Sequence, residues 1–246
     1  MQYKERHFEE LTSTNDFAMQ NLDGLENGTV ISANTQTDGH GRFERKWLSQ
    51  NTENLYATIV LKPTKKMEEL SYLSNLTQYM SVILCEVLEG YGLKPQIKWP
   101  NDVLVGGKKI AGILANSAVN GETLKGFVLG IGVNLNLTTE DIAQIDQAAT
   151  SLNLETGREI DKKEFSKQLF SKFFDELETF ETKGFELIKN RYVERCFFVG
   201  KEIEIKNINN VQRGVARQIN DDGSLLFENI KEGKNETVRI GDLMVC

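Results

Sequence analysis

The sequence predicts an α+β fold with a small β-barrel appended at its C-terminal end. Three observations carry this. Strands between residues 96 and 133 follow one another across tight turns, as an antiparallel meander does and a doubly wound parallel sheet does not. Two long stripes of apolar residues at three- and four-residue steps require helices to cover that sheet. From Phe198 onward the pattern changes to short strands separated by polar turns, about fifty residues that suit a small barrel.

The elements follow in order. STNDFAMQNL opens the first helix: Ser13 or Thr14 can cap it, and Phe17, Ala18 and Leu22 line one face. Thr29–Gln36 alternates as a half-buried strand, and Asn54–Lys62 is another, stopped by Pro63. Leu70, Leu73, Leu76, Met80, Leu84, Val87 and Leu88 mark an amphipathic helix that Gly90 and Gly92 end. Strands Gln96–Val105 and Lys108–Asn116 meet at the two-residue turn Gly106-Gly107, and Asn120-Gly121 reverses the chain before a strand through Val133. Thr138–Ile160 is polar and weakly patterned, which predicts a partly mobile segment. Phe165, Leu169, Phe173, Leu177 and Phe180 then define a second long helix, with a shorter one near Phe185–Tyr192. The closing strands read GKEIEIKN, RGVARQI, SLLFEN and ETVRIGDL. This pattern predicts two units, residues 1–196 and 197–246.

Bulk properties exclude several classes of function. A net charge of −7 opposes general nucleic-acid binding, which needs a basic face. No apolar window is long enough for a membrane span, and the N-terminal residues lack the apolar run of a signal peptide. Cys85, Cys196 and Cys246 are far apart and form no C-x-x-C pair, so a reduced cytoplasmic setting is predicted and a zinc site is not. His7 and His40 are too few for a histidine-based metal centre or a convincing catalytic triad.

Against that acidic background two basic stretches stand out. Residues 39–47 read GHGRFERKW: glycines let backbone N–H groups approach a ligand, and Arg42 offers a planar guanidinium for carboxylate or phosphate oxygens. An exposed basic turn anchored by Trp47 is the alternative. Residues 94–110 carry Lys94, Lys98, Lys108 and Lys109 against the single acid Asp102. The glycine turn fixes the backbone of Lys109, while Trp99-Pro100 sets an extended corner that brings Asn101 and Asp102 near the lysine strand. Lys94 and Lys108 are expected to point into solvent.

STN at 13–15, Gln36 followed by GHGRFERKW, KWPND at 98–102, KKIAGI at 108–113 and LGIGVNLN at 129–136 occur in the order seen in biotin–protein ligases. The chain thus resembles that family over roughly residues 10–136, and the barrel-like tail extends the likeness. KWPND followed seven residues later by a lysine is its most specific feature. The resemblance implies a class II synthetase-like catalytic fold with a C-terminal SH3-like barrel, in the short monofunctional form without an N-terminal DNA-binding domain.

By that resemblance, Ser13, Thr14, Asn15 and Gln36 line a pocket for the compact, polar ureido ring of biotin, with Gly39, His40 and Gly41 beside it. At His40, where arginine is more usual, the backbone is expected to matter more than the side chain. Ser13 and Asn15 also suit simple helix capping. The implied first half-reaction joins the biotin carboxylate to the α-phosphate of ATP, so charge stabilisation must dominate. Arg42 and Lys109 are expected to hold carboxylate and α-phosphate oxygens, with Arg45 and Lys46 nearer the outer phosphates. Trp47, Asn101 and Asn134 complete the implied nucleotide side, and Mg2+ covers the remaining phosphate charge.

The second half-reaction is attack by a lysine of a biotin carboxyl carrier protein. About one lysine in 2,500 is neutral at pH 7, so Asp102 could steer or deprotonate that amine, or organise the loop. A homodimer is left open. The nearest rival, a lipoate–protein ligase, would leave the polar groups of Ser13, Asn15 and Gln36 unpaired against an apolar dithiolane. A nucleic-acid-binding tail is opposed by seven basic against eight acidic residues in 197–246.

Overall fold

The computed structural model describes residues 3–63, 72–121, 123–207 and 210–245. A seven-stranded sheet runs β1-β2-β3-β7-β6-β5-β4, where β1 is Lys4–Leu11, β2 Thr29–Gln36, β3 Leu55–Leu61, β4 Pro95–Lys98, β5 Asp102–Val105, β6 Lys108–Asn120 and β7 Thr123–Val133. Only β1 and β2 pair in parallel, joined across α1 (Thr14–Gln20); every other neighbour in this sheet is antiparallel. β1 carries no apolar alternation because it is an edge strand exposed along most of its length, and its charges keep that edge from pairing. The sequence pattern therefore missed it.

Helix α2 (Tyr72–Gly90) is the centre of the core. Its expected start near Leu70 lies outside the described residues. Rather than exposing a polar face, it buries Asn75, Thr77, Gln78 and Ser81 together with its leucines. The cause is packing on more than one side. The sheet covers one face, and α5 (Lys162–Lys183) covers another, where Tyr79 stacks on Phe180 at 4.3 Å and its hydroxyl donates to the Phe173 carbonyl at 2.6 Å. Gln78 Nε2 donates to the carbonyl of Gly223, in a turn of the C-terminal unit, at 2.7 Å, so a buried amide ties α2 to that unit.

The stretch 96–105 is two strands, not one. β4 and β5 form a hairpin around a cis Trp99-Pro100 peptide, with Lys98 paired to Asp102. Gly106 and Gly107 both have positive φ, 57° and 78°, the geometry a two-residue hairpin turn demands. The segment 138–160 holds two short helices, α3 (Thr139–Ala143) and α4 (Leu152–Thr156), the first closed by a reciprocal Thr138–Asp141 capping box. Its order comes from side chains distant in sequence: Asn51 Nδ2 donates to Asp141 at 2.8 Å, and Asn136 bonds both ways with Ile160. After α6 (Lys189–Val193), β8 (Glu202–Lys206), β9 (Val211–Ile219), β10 (Leu225–Asn229), β11 (Lys234–Val238) and β12 (Asp242–Val245) form a five-stranded antiparallel sheet ordered β11-β10-β9-β8-β12. ETVRIGDL thus supplies two strands, and among the described residues no pairing closes β11 onto β12. Among them, too, no helix is long and apolar enough to cross a membrane.

Candidate active site

Two adjoining chambers open where the arginine loop crosses β6 and β7. Arg45, Lys46, Trp47, Lys109 and Gln147 line both. Every site residue read from the sequence lies on this cleft except Gly39: Asn134 faces the second chamber, and the rest face the first. Gly39 sits behind it, packed against Ser49, Gln36 and Trp47.

The wall of the first chamber is built by α1 and the end of β2. Ser13 caps the helix, its hydroxyl accepting from Asp16 N–H at 3.3 Å. The next two residues turn inward because the first turn packs on β3. There Thr58, fully buried, lies 2.9 Å from both Thr14 Oγ1 and Asn15 Oδ1. His40 bridges to Lys46 across the loop; its Nδ1 is 3.2 Å from the Asp38 carbonyl and its Nε2 3.7 Å from Asp16.

Lys109 is fixed from both sides. Its N–H donates to the Ala148 carbonyl and its own carbonyl accepts from Thr150 N–H, each at 2.9 Å. The β5–β6 register shifts between Val103 and Leu104, a bulge that inserts Ile110 and re-aims the lysine strand beside the cleft. The side chain crosses Gly112 to place Nζ 2.8 Å from Asp102 Oδ1 and 5.2 Å from the Trp47 ring centroid. Asp102 Oδ2 has Lys98 at 4.0 Å.

Arg42 is held at one end only. Its Nη1 donates to Asn101 Oδ1 and the Gly241 carbonyl, both at 3.1 Å, and to Asp242 Oδ1 at 3.4 Å. Asp242 also pairs with Arg45 at 2.5 Å. Burial lowers the Arg42 pKa while Asp242 and Asp102 oppose that fall, and an arginine so placed stays charged at any physiological pH. Among the described residues its Nε and Nη2 are left to the chamber. Asn101 is an orienting residue, since its Nδ2 is already given to the Ile113 carbonyl at 3.0 Å. Asn134 likewise donates Nδ2 to the Thr150 carbonyl at 3.0 Å, which leaves its oxygen for the second chamber.

Sequence reasoning missed Asp242, Gln147 and the glycine floor. Asp242 had no signal: it is one acid in a polar strand, 200 positions from its arginine. The floor did have one. Gly130 and Gly132 alternate in β7, and a Cβ at Gly132 would meet the Trp47 ring at 2.5 Å. Gly132→Ala is expected to displace Trp47 and to destabilise the chain by about 1–3 kcal/mol. Thermal unfolding with tryptophan emission checks this; an unchanged midpoint and unchanged emission would contradict the packing.

Comparisons with known proteins follow the same residues. The profile of the biotin/lipoate A/B protein ligase family matches residues 7–134. The bifunctional ligase/repressor BirA of Bacillus spizizenii is 30% identical over 203 residues, 82% of this chain but 62% of that protein, so the chain spans under two thirds of that relative's length. The biotin--[acetyl-CoA-carboxylase] ligase of Paracoccus denitrificans is 32% identical over 222 residues, 87% of this chain and 90% of that one. Among solved structures, the biotin protein ligase from Aquifex aeolicus in complex with biotin and ATP superposes with a TM-score of 0.83 at 27% identity, covering 99% of this chain and 98% of that one.

Proposed function

This chain belongs to the biotin/lipoate A/B protein ligase family, and we propose that it activates biotin with ATP and transfers it to a lysine of a biotin carboxyl carrier domain. The observation that carries this reading is the junction of the chambers. A wall of amides and hydroxyls suited to a ureido ring meets, at Lys109 and Trp47, a second space bordered by Arg45 and Lys46 of the arginine loop.

In the first step a biotin carboxylate oxygen attacks the α-phosphorus of ATP, and the bond to pyrophosphate breaks. Two anions must approach, so fixed positive charge is the main catalytic resource. Lys109 is aimed at the junction by its backbone bonds and Asp102, and neutralises charge on the carboxylate and α-phosphate. The free edge of Arg42 serves the same oxygens, while Arg45 and Lys46, on the rim, serve the outer phosphates. Trp47 and Asn134 line the side that takes the base and ribose.

Mg2+ fits the donors present. Asp102 would hold it through Oδ2, whose nearest cation is Lys98 at 4.0 Å, and one carboxylate with substrate phosphates is this ion's usual company. Bound there, it would neutralise phosphate charge. In the second step the acceptor lysine's amine attacks the acyl carbon and AMP leaves. In this reading Asp102, which contacts Lys98 and Lys109, steers that ammonium and receives its proton.

Residues 1–196 are the catalytic unit in this reading, and 197–246 form a unit that supplies Asp242 to its edge. The acidic balance of the chain runs against DNA as a partner. The reduced cytoplasm suits the two buried thiols, Cys85 and Cys196, which are free.

Pyrophosphate release on mixing the protein with ATP and biotin tests the reading, with lipoate as control and a carrier domain added for transfer. Release with lipoate but not biotin would overturn it. A second expectation concerns His40→Arg. The imidazole lies on the cleft edge with Asp16 no closer than 3.7 Å. Biotin affinity should therefore stay within about threefold, under roughly 1 kcal/mol. Titrations at pH 6 and pH 8 check it; a tenfold gain, or a steep pH dependence confined to the histidine form, would show that the side chain binds ligand.

A further inference from the structure

Gln36 faces the cleft at the middle of a hydrogen-bond chain whose direction the backbone fixes at both ends. Thr14 N–H donates to Gln36 Oε1 at 2.8 Å, and the Thr14 hydroxyl reaches the same oxygen at 3.1 Å. A backbone amide can only donate, so that end of the side chain must be the oxygen. At the other end Gln36 Nε2 donates to Ser49 Oγ at 2.9 Å, and Ser49 Oγ donates to the Trp47 carbonyl at 3.0 Å. A carbonyl can only accept, so the single proton of Ser49 is committed and only its lone pairs are offered to the amide.

Ser49 is 2% exposed and does not line the cleft. Gly39 keeps the contact close: a Cβ there would lie 2.4 Å from Ser49 Oγ and 2.8 Å from Gln36 Nε2. An amide nitrogen carries two protons. One is spent on Ser49, and the other is left to the cleft. The sign of recognition at this point in the wall is therefore set by Thr14 N–H at one end of the amide and, at the other, by a residue behind the wall.

We propose that Ser49 is a positioning residue for ligand specificity: it holds Gln36 as a donor, so the cleft takes a neutral ring bearing an acceptor oxygen and rejects the same ring bearing a cationic donor. This rests on the biotin reading above, because the ureido oxygen is the acceptor in question. A buried donor opposed by another donor loses its partner and the water it gave up, which is why mismatched polarity discriminates more sharply than a missing methylene.

The test compares biotin with 2-iminobiotin, whose ring is a protonated guanidinium at neutral pH, by calorimetric titration of the whole chain. Wild type should prefer biotin by about a hundredfold or more. Ser49→Ala should weaken biotin about tenfold and compress the biotin-to-iminobiotin ratio by a similar factor, with the KM for ATP unchanged. A general loss of packing would weaken both ligands in proportion and would move the ATP value too. Gln36→Glu, nearly isosteric, presents an oxygen to the cleft and should reverse the preference; it keeps the proposal testable if Ser49→Ala fails to fold. Ser49→Ala binding biotin within twofold of wild type, both ligands weakened equally, or Gln36→Glu retaining the wild-type preference would overturn it. A wild type that binds no biotin would overturn the functional reading and this inference together, whereas a wild type that binds biotin with unaltered variants would overturn this inference alone.

Discussion

Lys109→Ala is expected to slow formation of the biotinyl adenylate by about two orders of magnitude or more, corresponding to roughly 3–4 kcal/mol of lost charge stabilisation. The size follows from how the side chain is held. Backbone bonds to Ala148 and Thr150, the Asp102 carboxylate and the Trp47 face all restrict it, so its charge needs little reorganisation when the anions meet. The substitution also leaves Asp102 with Lys98 at 4.0 Å as its nearest cation, adding a negative charge to the cleft where positive charge is needed. Stability should change much less, because Lys109 is a cleft residue and not part of the apolar core. Single-turnover adenylation measured beside thermal unfolding separates the two. Adenylation within a few-fold of wild type would remove Lys109 from the chemistry.

Arg42→Gly should have the second large effect, and of a different kind. Arg42 supplies charge to the first chamber and joins the arginine loop to Asn101 and to the Gly241–Asp242 corner of the C-terminal sheet. Without it Asp242 keeps only Arg45, which is 60% exposed and more easily screened. Adenylate should form about 100-fold more slowly, and what forms should escape, because the better buried of the two arginines that tie the loop to Asp242 is gone. Bystander labelling is the readout. Incubation with ATP, biotin and an unrelated lysine-rich protein, followed by blotting for biotin, should show labelling with the variant and little with wild type. Label confined to the cognate carrier domain would show that Arg42 does not retain the intermediate.

Much of the site was legible because its chemistry lies in contiguous runs. The arginine loop, KWPND and the lysine hairpin each carry side-chain type, turn and spacing within a few residues. The Gly106-Gly107 turn can be read without the structure because two successive positive-φ positions exclude most other residues. Strand β3 was legible from its apolar run, and β2 from its alternation, although the sheet buries both faces of β2 and not one. The edge strand β1 was not, because exposure on both faces removes the pattern that burial imposes. The segment 138–160 looked mobile because what orders it comes from elsewhere. Asn51 reaches Asp141 across ninety positions, and Lys109 pairs with residues 148–150.

By itself the sequence determined which chemical groups the protein brings to its site, and which short segments turn or extend, because these depend on covalent structure and near neighbours. Only the tertiary structure decided how those groups are aimed. Asp242 meets Arg42 across 200 positions, Ser49 and Thr14 fix which end of Gln36 is the donor, and a bulge at Ile110 turns Lys109 onto Asp102. Hydrogen bonds and ion pairs depend on distance and direction, and a linear order of residues holds neither until the sheets have packed.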